Sequence, residues 1–227
     1  MTENTGISVD VVSDVVCPWC FIGQRRLQKA IALASDIDVA VRWRPYQLDP
    51  TIPPQGLDRK EYMVAKFGSE ERLRQAHARL LDMAKGDGIA FALDDIKVSP
   101  NTLDAHRVIR WAGGVETKLQ SAVVAGLFSA YFEKGRDVGD REVLIDVAKS
   151  AGMDTAIVET LLATDSDTDA VRDEIATAQQ MGITGVPCYL LEGRYAVMGA
   201  QDAETLADAF RRVAEAKASG ELETAAG

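Results

Sequence analysis

Two cysteines separated by two residues, Cys17-Pro18-Trp19-Cys20, are the side chains whose type and spacing could do chemistry. That spacing lets both thiols meet across the first turn of a helix, and a disulfide needs Cβ atoms about 3.5–4.5 Å apart. Pro18 suits a first helical turn, where its missing N–H is no loss. Cys17 would then stand at the helix N-terminus, where unpaired backbone N–H groups and the helix dipole favour a thiolate. Cys20, one turn further in, would be covered and would act as the resolving thiol. A stabilised thiolate is a good leaving group, so the oxidised pair would be open to attack by another thiol. The competing reading is half of a zinc site. Zinc asks for four ligands, and the remaining candidates, Cys188, His77 and His106, are scattered in no such pattern. Redox chemistry without a metal is the reading retained.

The elements that would position this pair can be read from the pattern of apolar residues. Residues 7–12 alternate as a strand, and Ile22, Leu27, Ala30, Ile31 and Ala34 then recur at helical spacing. Residues 38–44 alternate again, so a strand, the CPWC helix and a second strand form a βαβ unit. Pro45, Pro50, Pro53 and Pro54 break the chain, and from Asp58 to about Thr164 it is helical in character, without strand signals, with Gly113-Gly114, Gly135 to Gly139 and Gly152 as stops. Asp169–Met181 reads as a further helix with Asp167 or Thr168 as its cap. Cys188–Leu191 and Tyr195–Met198 form a hairpin around Glu192-Gly193-Arg194. Asp202–Ala218 is the last helix, and Ser219–Gly227 is expected to fray.

Composition narrows the function classes. The 227 residues are 47% hydrophobic and 26% charged, ordinary for a soluble globular protein. A chain of this length buries roughly 70% of its unfolded surface, enough for a core without disulfide staples. The 25 basic and 35 acidic residues leave a formal net charge of −10, with no Lys/Arg run longer than two. Nucleic acid is therefore excluded as a partner, and no apolar run is long enough to make a membrane one. Met1–Gly6 carries no secretory pattern, and three cysteines, two of them adjacent in a CxxC, suit a reducing compartment. A cytoplasmic protein is expected.

The segment Ser13-Asp14-Val15-Val16-Cys17-Pro18-Trp19-Cys20-Phe21-Ile22-Gly23 resembles the active-site segment of the DsbA-like thioredoxin-fold oxidoreductases, specifically the FrnE-type subgroup. Gly185-Val186-Pro187 is similar to that family's cis-proline loop, and Gly199-Ala200-Gln201 to its signature before the last helix. The resemblance spans the chain, helical block included. It implies an α/β protein: a thioredoxin-like domain in two segments, 6–51 and 165–219, with an inserted all-helical domain over 52–164. It implies a thiol–disulfide oxidoreductase with Cys17 as nucleophile, Cys20 as resolving cysteine and Pro187 in cis. Read from the residues alone, Pro187 could equally mark a bland turn. In the cis arrangement the N–H and C=O of Val186 would hold a substrate segment as an added strand. Trp19, exposed at the helix start, would offer substrate an apolar contact. The thiol pair is itself the redox centre, so no cofactor is required, with glutathione a candidate co-substrate. Partners would be thiols or disulfides, of proteins or small molecules. The oligomeric state stays open, with a homodimer one option.

Cys188 departs from the family pattern, where an aromatic residue is expected. It reads either as a small buried hydrophobe or as a third thiol near the site. Asn101 and His106 sit in Ser99–Arg107, similar to a family stretch in the helical domain. A helix cap and a core-edge histidine are weighed there against groove-lining roles. Asp14 would oppose ionisation of a thiol if buried beside it; otherwise it is a loop carboxylate. Trp43 and Trp111 read as packing residues. Two rival functions remain in view. One is a glutathione-dependent isomerase or transferase of the hydroxychromene-carboxylate isomerase and kappa-class type, which carries a serine in place of the first cysteine. The other is a non-catalytic binding module.

Overall fold

A computed structural model describes residues 6–221. In chain order, β1 (Ile7–Ser13) leads through α1 (Pro18–Leu33) to β2 (Val39–Pro45), which pairs with β1 in parallel. A two-residue pair, β3 (Leu57–Asp58) and β4 (Val98–Ser99), brackets α2 (Arg59–Phe67) and α3 (Glu70–Met83). Then come α4 (Leu103–Val115), α5 (Thr117–Phe128) with a π-helical turn at Ser129–Glu133, α6 (Arg141–Ala151), α7 (Thr155–Leu162) and α8 (Thr168–Gln180). The hairpin β5 (Cys188–Leu191) and β6 (Tyr195–Met198) precedes α9 (Ala203–Ala218). The main sheet has the order β2-β1-β5-β6, with β5 antiparallel to both neighbours. The fraying expected beyond Ser219 falls, from residue 222 on, outside the described residues, as do residues 1–5.

Helices cover both faces of the sheet, so the central strand β1 is buried nearly throughout rather than alternating. Val9, Val11, Tyr189 and Leu191 belong to the main core with Phe21 and Leu27 of α1 and Leu206 and Phe210 of α9. Val12 and Cys188, paired across β1 and β5, face the other way, with Tyr46, Ala178 of α8 and Ile183. The helices between the strands begin where the sequence supplies caps. Asp58, Ser69, Asp140 and Asp154 each accept a backbone N–H of the first turn. Asp167 precedes α8 but does not cap it. Its carboxylate takes the indole N–H of Trp111 at 2.8 Å instead.

Two sequence expectations fail in the helical stretch. β3 and β4 form a small ladder where no strand was expected, because the prolines before Leu57 deliver extended backbone alongside Val98 and Ser99. Gly113-Gly114 do not stop α4, which runs to Val115. Gly113 instead provides space: a Cβ there would lie 2.6 Å from Nε2 of Gln120 on α5. Gln120 needs that room. Its Oε1 accepts the N–H of Trp43 at 2.9 Å and its Nε2 donates to the Trp43 carbonyl at 3.1 Å, so one side chain closes the edge of β2. An aromatic cluster then joins the helices to α1. Phe21 stacks on Phe128 and Phe132 at 5.2 and 5.8 Å, and Phe91 meets Phe21 edge-on.

Replacing Gln120 by leucine keeps the volume but strands two buried backbone groups. At roughly 1–3 kcal/mol for each unsatisfied group, Gln120→Leu should cost about 2–6 kcal/mol in urea unfolding.

Candidate active site

Cys17 is the residue before α1, with extended backbone (φ −90°, ψ 113°), and Pro18 opens the helix as expected. The Cys17 N–H donates to the Asp14 carbonyl at 3.0 Å, and the Cys17 carbonyl accepts from Cys20 and Phe21, which winds the first turn. Cys17, Cys20 and Cys188 are buried, unpaired cysteines. The Val186–Pro187 peptide bond is cis, and Sγ of Cys17 donates to the Val186 carbonyl at 3.7 Å across 169 residues of sequence. Behind this contact α1 and β5 approach closely at Gly23. A Cβ there would lie 2.3 Å from the Tyr189 hydroxyl and 3.0 Å from Pro187 Cγ. Only glycine leaves room for the phenol between the helix and the loop.

Standing at the helix start does not expose Cys17. Cys17 is 3% exposed and Cys20 1%; both belong to the main core, and α2 and α3 stand across the cavity from the helix start. Trp19 is half-buried rather than exposed, packed near Ile22 and Leu80. Cys17 opens instead onto a cavity of about 510 Å³ that also takes in Trp19, Val186, Arg59, Tyr62, His77 and Tyr131. Burial, followed by the hydrogen bond and charge of Cys17, pushes the Cys20 thiol well above the usual cysteine range. Asp14 is buried. Its Oδ2 accepts the Leu48 N–H at 2.8 Å, its Oδ1 lies 3.5 Å from Nε2 of His106, and its charge opposes ionisation of Cys20.

Arg59 donates to the Tyr131 hydroxyl at 3.0 Å and lies over that ring at 5.7 Å. Burial pushes the Tyr131 phenol up to about 12. His77 is held below the usual histidine range, first by burial and then by the Arg59 charge. Among the described residues no carboxylate is within ion-pair distance of Arg59, Lys66 or Arg79, all of which line the cavity.

His106 and Asn101 lie outside this cavity. Asn101 caps the entry to α4 by accepting the Leu103 N–H at 3.0 Å, and it donates to the Ile52 carbonyl at 2.6 Å. His106 is a buried core-edge residue that borders a second cavity, of about 740 Å³, between β2, α4 and α7, which no cysteine lines. Trp43 is buried, with its indole N–H on Ser121. Cys188 lies on the sheet face opposite Tyr189, and burial alone pushes its thiol up. Sequence reasoning missed Arg59, Tyr62 and Lys66, and it weighed His77 only as a zinc ligand. The spacing of Arg59, Tyr62 and Lys66 places them on one side of a helix, but nothing local shows that this side meets the CPWC turn.

With this geometry described, the comparisons with known proteins can be set beside it. Residues 8–211 match the DSBA-like thioredoxin domain, and the chain belongs to that family. The fold is the thioredoxin-like α/β arrangement expected, and it places the protein among oxidoreductases and related enzymes. A crystal structure described as a probable DsbA oxidoreductase, from Streptomyces coelicolor, is 31% identical, with a TM-score of 0.83 over 91% of this chain and 89% of that one. The protein YwbO of Bacillus subtilis, itself uncharacterised, is 27% identical over 82% of this chain and 86% of its own. A 2-hydroxychromene-2-carboxylate isomerase structure is 20% identical, with a TM-score of 0.69 over 93% and 98% of the two chains, a likeness of fold. No helix among the described residues is long and apolar enough to cross a membrane.

Two outcomes follow from this geometry. Gly23→Ala should cost about 1–3 kcal/mol of stability in urea unfolding, because the added methyl drives α1 against Tyr189 and Pro187. The second concerns pH. The raised Cys20 thiol contributes stability that is complete below the unfolded cysteine pKa of about 8.5 and is lost as pH rises toward the folded value. The disulfide form has no such proton to lose. Between about pH 8 and pH 10 the dithiol form should lose stability relative to the disulfide form, measured by paired urea titrations.

Proposed function

We propose that the protein is a thiol–disulfide oxidoreductase that exchanges dithiols and disulfides through Cys17 and Cys20. The observation that carries this reading is the Cys17 Sγ contact with the Val186 carbonyl beside Pro187, with Cys20 covered one turn behind. In the reducing direction, the Cys17 thiolate attacks one sulfur of a substrate disulfide, forming a mixed disulfide and expelling the other half as a thiolate. Cys20 then gives up its proton and attacks Cys17 Sγ. The second substrate half leaves as a thiolate, and the Cys17–Cys20 disulfide forms. Two electrons have passed to the substrate, and an external thiol must return them. The oxidising direction is the same sequence reversed. The Val186 N–H and C=O pair with the substrate backbone, and Trp19 supplies an apolar wall.

Glutathione is a candidate for the returning thiol. Arg59, Lys66 and Arg79 outnumber Asp14 and Asp49 among the charged residues that line the cavity, and this positive excess suits a small acidic thiol better than a neutral one. No organic cofactor or metal is required by this chemistry. Such a dithiol works most readily in a reducing compartment, and we place the protein in the cytoplasm on that ground.

Active-site substitution tests the reading. Cys17→Ser should reduce disulfide turnover to background. Cys20→Ser should accumulate a mixed disulfide on Cys17, seen as an adduct mass on the peptide holding residue 17. Full turnover in Cys20→Ser would favour the glutathione-dependent isomerase or transferase reading, which needs no second thiol. Arg59→Gln should raise KM for glutathione disulfide about tenfold, the value of a charge-assisted hydrogen bond of roughly 1.5 kcal/mol. The KM for an uncharged disulfide such as hydroxyethyl disulfide should change far less.

A further inference from the structure

The cover over Cys17 is a defined piece of chain with its own fastening. α2 and α3 form a helical arm joined at Gly68 and Ser69, and its inner side, with Tyr62, Met63, Phe67 and Leu80, roofs the cavity. α2 buries no residue fully, and α3 buries only Leu80, which packs with Ile22 and Ala84. Apolar contact alone therefore holds the arm weakly. Its return end is tied by charge. Arg26 of α1 donates Nη2 to the carbonyl of Met83, the last residue of α3, at 3.0 Å, and Nε to Oδ2 of Asp87 at 3.1 Å. The same guanidinium reaches the Ala200 carbonyl, in the loop after β6, at 2.8 Å through Nη1. Lys29 adds the Gly86 carbonyl at 2.8 Å and Asp87 Oδ1 at 3.3 Å.

This fastening answers a need of α3. The helix has no basic residue in its own last turn, so the exposed carbonyls and negative dipole end are met by cations from α1. Asp87 is buried and pairs with both of them, with Arg26 at 3.0 Å and with the half-exposed Lys29 at 3.3 Å, so loss of Arg26 would leave its carboxylate only partly compensated. The clamp lies off the cavity, so neither Arg26 nor Asp87 lines the space around Cys17.

A protein segment laid along Val186 as an added strand has to enter and leave the site in extended form, and α2 and α3 line the space in front of Val186 and Cys17 that such a segment would cross. The remaining space, about 510 Å³, is of the size that holds small molecules. We propose that Arg26 is a specificity-determining residue: its clamp keeps the arm shut over Cys17, so the enzyme exchanges with low-molecular-weight thiols and disulfides, and a protein cysteine reaches Cys17 only when the clamp opens. This rests on Cys17 being the exchanging thiol, while its test does not require turnover.

The experiment compares the labelling of reduced, full-length protein by N-ethylmaleimide and by the same maleimide on a polyethylene glycol chain, with Cys17 followed by peptide mass. In the wild type the large reagent should lag by about tenfold or more beyond its lag on a free small thiol, since its reactivity is scaled by the fraction of molecules that are open. Arg26→Ala should remove most of that gap, and Asp87→Asn, which keeps the side-chain volume, part of it, with N-ethylmaleimide rates changed less than about twofold. Equal access for both reagents in the wild type would overturn the closed arm, and that measurement needs no variant. A gap unchanged in both variants, shown folded by thermal unfolding, would overturn the role of Arg26. Labelling is independent of substrate, so a failure here leaves the exchange chemistry to be judged by Cys17→Ser and Cys20→Ser.

Discussion

The antiparallel pairing of β5 with β1 is the constraint on which the site depends. It sets Val12 against Cys188 and Val11 against Tyr189, joining segments some 175 residues apart in the chain. The entropy of closing so long a loop grows only slowly with its length, so burial of both strands between layers of helix can meet it. The register also decides the chemistry. With β5 in that position, the residues just before it reach the start of α1, and the Val186 carbonyl arrives at Cys17. A slip of one residue would exchange the faces of Cys188 and Tyr189 and put a thiol where the phenol now packs on Gly23.

Around that contact the helices create an environment that neither the sheet nor α1 could provide. Phe128 and Phe132, from α5 and the π-helical turn after it, stack on Phe21, the residue after Cys20. This fixes the helical region to the same helix that carries the thiols. Burial favours Cys20 strongly as a thiol behind the cavity, and within the cavity it pushes Tyr131 and Tyr62 up to about 12 and holds His77 below the usual histidine range. Arg59 supplies positive charge near the wall of that pocket, held by Tyr131 rather than by a carboxylate. Burial protects the second thiol, while Arg59, Lys66 and Arg79 share the cavity wall with the carboxylates of Asp14 and Asp49.

The tertiary structure also separates two thiols that composition alone treats alike. Cys188 is adjacent to Pro187 in sequence, yet strand alternation turns it toward Val12 and Ala178, away from the face that meets α1. The buried Asp14 carboxylate, by contrast, lies on the Cys17 side and faces His106, contributed by α4. Adjacency to Pro187 in the chain thus does not bring a side chain to the Cys17 side of the sheet. What matters is the face of the sheet and the helix packed on it.

The sequence by itself determined the local elements and the chemistry-bearing pair. Strand, helix and strand around Cys17 and Cys20, the long helical stretch, the hairpin at Gly193 and the last helix were legible because each depends on periodicity, caps and turn residues within a few positions. Gly113-Gly114 and the β3–β4 ladder were misread because their conformation is set by partners, Gln120 in one case and a strand some forty residues away in the other. Only the tertiary structure decided how deeply Cys17 is covered, which side chains share its cavity and what holds the arm in place. Arg26 looks in the sequence like any solvated charge on α1. Its role comes from carbonyls at Met83 and Ala200 and a carboxylate at Asp87, brought to it by packing between distant segments that no local pattern records.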